Sequence, residues 1–387
     1  MHVSVWQGLV GQDEAIRVMQ NAARATASGV ADAEGSASDM THAWLITGPA
    51  GSGRSNLAFA FATALLSTGP DTLDATIAQV RGRTHPDLGV LTSQKVIISI
   101  DDVRSLVTSS HFSPSIGRYR VMIIEDADRM PERTSNVLLK ALEEPPERTV
   151  WILCAPSEAD VIPTIRSRVR SIRLRMPSVQ EVASLLRAEH GVDEVVAERS
   201  ARLAQSHIGM ARRLATSPEA LARRQETLDL VFGIRGVAHA MQAARRLNDI
   251  ALEDSAAITT ERDERDRAET LRNLGVAPGA AIPPALRSHV KQMEDDQKRR
   301  ATRSVRDGVD RILTDLMSAY RDVLMVQLGA SHEIINHEFR VELAEAADRL
   351  TADETLTFID SITVAQQRIS SNVTPLLALE ALLCTLI

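Results

Sequence analysis

The stretch GPAGSGRS, Gly48 to Ser55, restricts the possible folds more than any other part of the 387-residue chain. It has the phosphate-loop spacing G-x-x-x-x-G-K-S/T at every position but one, Arg54 standing where the motif has lysine. Before it runs AWLIT, Ala43 to Thr47, a short apolar run of the kind that forms a buried strand. After it, Ser55 to Leu66 sets Leu57, Ala58, Phe61, Ala62 and Leu65 on one helical face. Strand, glycine loop and helix in that order predict a parallel α/β sheet with its chemistry at the carboxyl ends of the strands.

Three further strands are expected: Val121–Ile124 (VMII), Val150–Ala155 (VWILCA) and Val169–Leu174 (VRSIRL). A helix is expected over Gln12–Ala25 and a small, polar surface loop over Ala31–Thr41. From Ser178 the strand pattern stops. Short helices are read at Val179–Glu189, Glu194–Gln205 and from Gly209, followed by an all-helical region. There Arg303–Leu328 carries apolar residues at Val305, Val309, Ile312, Leu313, Leu316, Tyr320, Val323 and Leu324, the steps of an amphipathic helix. Between Ser255 and Arg300 lies a charged, proline-bearing stretch, readable as an exposed helical arm with a loop at Gly275–Pro284 or as a solvated insertion. The expected architecture is an α/β core (1–177), a small helical module (178–216) and a helical domain (217–387).

Composition removes several classes. The net charge of −7 argues against a free-standing nucleic-acid binder, and 3% aromatic residues against a base-stacking platform. Two distant cysteines, Cys154 and Cys384, exclude a disulfide framework and a thiolate zinc cluster. No apolar run approaches the roughly 20 residues of a membrane span, and the N-terminus lacks signal-peptide character. A soluble, cytoplasmic protein is expected.

Three segments can carry chemistry. In the loop, Gly48, Gly51 and Gly53 let backbone amides curl inward, and the helix start adds its positive end. Ser55 has the magnesium-ligand position. Arg54 replaces a compact point charge by a planar fork, so the segment reads either as a working nucleotide site or as an inherited loop without hydrolysis. VMIIEDAD, Val121 to Asp128, is an apolar strand ending in acids, either a metal and water-positioning site with Glu125 before Asp126 or a solvated acidic end. In TIRSRVR, Thr164 to Arg170, Arg168 follows Ser167. It reads as a finger aimed at another subunit's phosphate or as one charge among Arg166, Arg170, Arg173 and Arg175.

Together, HAWLITGPAGSGRS (His42–Ser55), HPDLGVL (His85–Leu91), YRVMIIEDADRM (Tyr119–Met130), SNVLLKALEEPP (Ser135–Pro146), TIRSRVRSIRL (Thr164–Leu174) and SNVTPLLALEALL (Ser371–Leu383) resemble the clamp-loader branch of the AAA+ ATPases. The resemblance covers nearly all of residues 1–215 and patches of the rest, and leaves the 255–300 stretch unexplained. It implies a P-loop AAA+ core, a helical lid and a helical collar that joins a ring with delta and gamma/tau subunits. Such a ring places the beta sliding clamp on primed DNA as part of the DNA polymerase III holoenzyme, a DNA-directed DNA polymerase (nucleotidyltransferase).

The departures from that family are specific. Its ATPase subunits have a loop lysine, an Asp-Glu pair and four zinc-binding cysteines; here stand Arg54, Glu125-Asp126 and no cysteine between Ser67 and His85. A sensor position reads Ala155-Pro156, and Ser-Arg-Cys reads Ser167-Arg168-Val169, with Arg168 kept. Gly209–Arg212 matches a second sensor through Arg212. The resemblance therefore implies a subunit without ATPase activity of its own, with a vestigial ATP site, no metal, and a trans arginine. A gamma/tau-type subunit with its own ATP site is the alternative.

Overall fold

The computed structural model describes residues 5, 6, 8–27, 40–92, 97–273, 287–330 and 334–387. The chain divides into two compact units, Met1–Thr216 and Ser217–Ile387.

The first unit contains, in chain order, α1 (Asp13–Ala27), β1 (Ala43–Thr47), α2 (Arg54–Leu66), α3 (Leu73–Arg81), β2 (Leu88–Leu91), α4 (Ile100–Ser110), β3 (Arg120–Ile124), α5 (Glu132–Glu143), β4 (Thr149–Ala155), α6 (Pro163–Arg166) and β5 (Arg170–Arg173). The strands form one parallel sheet in the order β2-β3-β4-β1-β5. Alternation divides the core. Trp44, Ile46, Val121, Ile123, Val150, Ile152 and Cys154 face one layer, with Leu57, Phe61 and Met19 of α2 and α1. Leu45, Met122, Ile124, Trp151 and Leu153 face the other, with Val103 and Leu138 of α4 and α5. A sheet buried on both faces needs near-continuous apolar strands, which is what β1, β3 and β4 supply. Trp44 and Phe61 meet edge to face, ring centroids 5.4 Å apart.

Among the described residues the sheet therefore has five strands, not the four expected. β2, LGVL, is only half-buried at the sheet edge and holds a glycine, so it lacks the apolar signature of the others. The expected loop at Ala31–Thr41 falls outside the described residues except for its last two.

Three helices complete the unit: α7 (Val179–His190), α8 (Glu194–Leu203) and α9 (Ile208–Thr216). Ser178 and Glu181 form a capping box at the start of α7, and Gly191 ends it at φ +63°.

The second unit is helical: α10 (Pro218–Phe232), α11 (Val237–Asn273), α12 (Arg287–Gln327), α13 (Arg340–Arg349), α14 (Ala352–Ser370) and α15 (Pro375–Leu383). Its core joins Leu228, Leu247, Leu313, Leu316, Tyr320, Phe358, Ile362 and Leu379. The described parts of 255–300 are helical and extend α11 and α12, which run antiparallel. Arg267 pairs with Glu294 and Arg300 with Asp263, both at 2.9 Å, and the Ser255 hydroxyl donates to the Ala301 carbonyl. This agrees with the helical-arm reading. The loop expected at Gly275–Pro284 lies outside the described residues. Among the described residues no helix is long and apolar enough to cross a membrane.

Candidate functional site

At the carboxyl edge of the sheet, β1 ends at Thr47 and the chain turns through Gly48–Gly53 into α2. Gly51 and Gly53 have φ of +80° and +94°, the left-handed region that favours glycine. A Cβ on Gly51 would lie 2.3 Å from Cγ of His207, so a bare backbone is what lets the start of α9 close on the loop. The Ile208 amide reaches the Gly51 carbonyl at 3.4 Å. From the other side, buried Gln12 donates to the Arg175 carbonyl at 2.7 Å and accepts from its amide at 3.2 Å. The same side-chain amide reaches the Ser52 carbonyl at 3.4 Å.

A cavity of about 230 Å³ opens here, lined among others by Gly51, Gly53, Arg54, Ser55, Ile208 and Arg212. The loop and the second-sensor arginine of the sequence reading thus share one cavity. The first turn of α2 has no acidic residue and Gly53 supplies no side-chain cap, so its free amides form an anion-binding end. The buried Ser52 hydroxyl has no hydrogen-bond partner among the described residues.

The charged groups at this edge are engaged within the chain. Arg54 Nη1 donates to the Gly48 carbonyl at 2.6 Å, and the Gly48 amide donates to the Pro156 carbonyl at 3.1 Å. Glu125 accepts from Arg83 Nη2 at 2.9 Å and from the Thr92 hydroxyl. Arg212 pairs with Glu189 of α7 at 2.9 Å, and Asp126, at φ +50°, with Arg129 at 3.8 Å. Burial pushes the Cys154 thiol up to about 12, with Glu125 adding to the effect and Arg54 opposing it. The thiol is therefore protonated and not nucleophilic. Burial also raises the Asp128 carboxyl, against its own backbone amide and with Asp126 adding to the rise. Among the described residues, no three His, Cys, Asp or Glu side chains are grouped to hold a metal ion.

Ser167 and Arg168 lie at the opposite edge. β5 pairs in parallel with β1, Trp44 opposite Arg170 and Thr47 opposite Arg173. Arg168 therefore sits beside the start of β1 and the glycine loop follows its end, about 15 Å further along the strand. Arg168 Nε donates to Glu143 Oε1 at 2.7 Å, and Nη2 meets the same oxygen. Nη1 donates to the Thr164 carbonyl at 2.7 Å and to the Ser167 hydroxyl at 3.0 Å. The candidates fall into two groups: Gly48, Gly51, Gly53, Arg54, Ser55, Glu125, Asp126 and Arg212 toward the carboxyl edge, Ser167 and Arg168 at the amino edge. Sequence reasoning assigned no chemistry to Gln12, Arg83, Thr92, His207 or Glu143. Glu143 did lie inside the quoted LLKALEEPP, but the Arg83–Glu125 contact spans 42 residues and leaves no local signal.

Residues 28–178, which hold the loop, the acidic strand end and Arg168, match the family described as DNA polymerase III, delta subunit. The chain is also similar to DNA polymerase III subunit delta' of Pseudomonas aeruginosa, 35% identical over 141 residues, 35% of this chain and 43% of the relative. Over residues 28–178 the likeness is to DNA polymerase III clamp-loader subunits. Subunit gamma/tau of Mycobacterium tuberculosis is 29% identical over 153 residues, 38% of this chain and 26% of the relative. The clamp-loader matches thus span less than half the length of either relative. Among solved structures, a gamma subunit-related protein of Thermotoga maritima aligns over 96% of this chain and 97% of its own, at 18% identity and a TM-score of 0.47.

Proposed function

We propose that this chain is the delta-prime subunit of a bacterial clamp loader, a ring member without turnover of its own that serves the ATP site of an adjacent gamma/tau subunit. The observation that carries this reading is the engagement of the groups around the glycine loop. A working phosphate loop needs a free cation at the position of Arg54 and inward amides. Here the guanidinium is donated to Gly48, the Gly48 amide to Pro156, and Glu125 is shared between Arg83 and Thr92. The amides at the start of α2, with Ser52 and Ser55, still suit a phosphate group, so Gly53, Ser55 and Arg212 would hold a nucleotide weakly. Bound nucleotide would add negative charge for those amides and for Arg212; hydrolysis is assigned to the neighbour.

Arg168 is too far along the sheet to reach that cavity, which favours a role toward another subunit. A guanidinium offers paired donors to the oxygens that gain charge during phosphoryl transfer. In this reading the 217–387 unit is the collar, the ring also holds delta and three gamma/tau subunits, and the clamp and primed DNA are met by the assembled ring in the cytoplasm. The test is a pull-down of gamma/tau and delta with the tagged chain, with clamp- and DNA-stimulated ATPase measured with and without it. Co-purification and a rise in rate are expected. A chain that pulls down neither subunit, or that hydrolyses ATP steadily by itself, overturns the reading.

A further inference from the structure

The segment LLKALEEPP carries much of the family likeness, and the proposed function gives it no task. The first of its two glutamates, Glu143, is the last residue of α5. The helix end is fixed at that point: Ala141 and Leu142 are buried, and the Leu142 carbonyl bonds to the His42 ring at 2.8 Å, one residue before β1. Twenty-five residues later in sequence, Arg168 is fixed in turn. Its amide donates to the carbonyl of fully buried Ile165 at 2.9 Å. Two side chains on anchored backbones meet, with Glu143 Oε1 receiving both Nε and Nη2 of the guanidinium.

We infer that Glu143 is a positioning residue for Arg168: with Ser167 and the Thr164 carbonyl it sets the direction in which the guanidinium faces an adjacent subunit's phosphates. This rests on the proposed function. Arginine has five N–H donors in a rigid fork. Glu143 takes one on Nε and one on Nη2, and Thr164 and Ser167 take those on Nη1. One Nη2 donor remains, and the side chain is 33% exposed. A fork held on three sides has lost most of its rotamer freedom before a phosphate arrives, which is how preorganised donors gain their effect. Stability does not account for the pair, because ion pairs with ends this exposed, 33% and 46%, contribute little to folding.

The test uses the complete chain in a reconstituted ring with its gamma/tau and delta partners, after gel filtration and melting curves establish equal assembly and folding. Four versions are compared: wild type, Glu143→Ala, Arg168→Ala and the double variant. Glu143→Ala should lower kcat by at least half the fold-loss of Arg168→Ala, at unchanged KM for ATP, and add nothing in the double variant. Glu143→Gln, which keeps an acceptor without the charge, should recover part of the loss. A wild-type rate for Glu143→Ala beside a slow Arg168→Ala overturns the positioning role and leaves the proposed function standing. Additive losses in the double variant overturn it as well, by giving Glu143 a separate task. A wild-type rate for Arg168→Ala removes both the finger and its positioning residue.

Discussion

The two edges of the single parallel sheet treat their arginines differently. At the carboxyl edge Arg54 folds back on its own loop, bonding the Gly48 carbonyl, and sits in a cavity closed on one side by His207 and Ile208. At the amino edge Arg168 is partly exposed and is held by side chains and a carbonyl that leave one donor outward. The contrast teaches that a motif can be kept for two different reasons. The glycine loop satisfies packing demands whether or not it turns over a nucleotide, because α9 needs a bare backbone to close on. An exposed arginine with an ordered fork adds almost nothing to packing, and under the proposed function its order serves a neighbouring subunit.

The largest effect that separates the edges is on folding. Gly51→Ala forces a left-handed residue and a Cβ 2.3 Å from His207, and should cost about 3 kcal/mol. Arg168→Ala should cost less than about 1 kcal/mol. Urea unfolding of the whole chain measures both. Equal costs would remove the packing account of the loop.

A second change sharpens the amino edge. Asp87, buried just before β2, accepts from the amides of Ser115, Ile116 and Gly117 at 2.5, 2.8 and 2.7 Å. Burial alone would raise its carboxyl; the three amides and His85 more than offset it, and the group lies below its ordinary value. A depressed folded pKa contributes stability that is full above the ordinary aspartate value, about 3.9, and is lost as pH falls through the folded value. Asp87→Asn should therefore cost about 2 kcal/mol at neutral pH and flatten the acid side of the melting curve. An acid limb as steep as that of the wild type would assign the loss to other carboxylates.

Third and smallest, Arg54→Lys converts one edge toward the other kind of site. A flexible point charge replaces the fork that grips Gly48, and calorimetry should find ATP binding about tenfold tighter, or about 1.4 kcal/mol. Under the proposed function, this variant should show no turnover while Arg83 and Thr92 hold Glu125. Hydrolysis restored by this one substitution would mean that Glu125 is not restrained.

How far the sequence could be read follows from where the physics is local. β1, β3 and β4 are buried on both faces and announce themselves as apolar runs, and Gly51 and Gly53 as loop glycines. β2, half-buried at an edge, does not. The amphipathic reading found α12 only from Arg303, whereas the helix begins at Arg287. Its first turns meet α11 through pairs such as Arg267–Glu294, which leave no apolar period. In the same way Arg54 stands out by the spacing of its loop, and Arg168 and Arg212 by the family resemblance. Their partners Gly48, Glu143 and Glu189 are fixed by the folded chain, as is the closure of His207 on Gly51.

The most direct measurement places one substitution at each edge in the same assay. In reconstituted rings of equal assembly, clamp- and DNA-stimulated ATPase is compared for Gly53→Asp, which sets a carboxylate at the start of α2, and Arg168→Ala. A Cβ on Gly53 meets nothing closer than 3.7 Å but its φ of +94° strains any side chain, so melting curves first establish that this variant folds as the wild type does. Arginine fingers are worth about 10³–10⁵ at the site they serve, and less across a ring whose other sites keep their own. The account predicts a clear fall for Arg168→Ala and a wild-type rate for Gly53→Asp. A fall for Gly53→Asp with Arg168→Ala at the wild-type rate would contradict it.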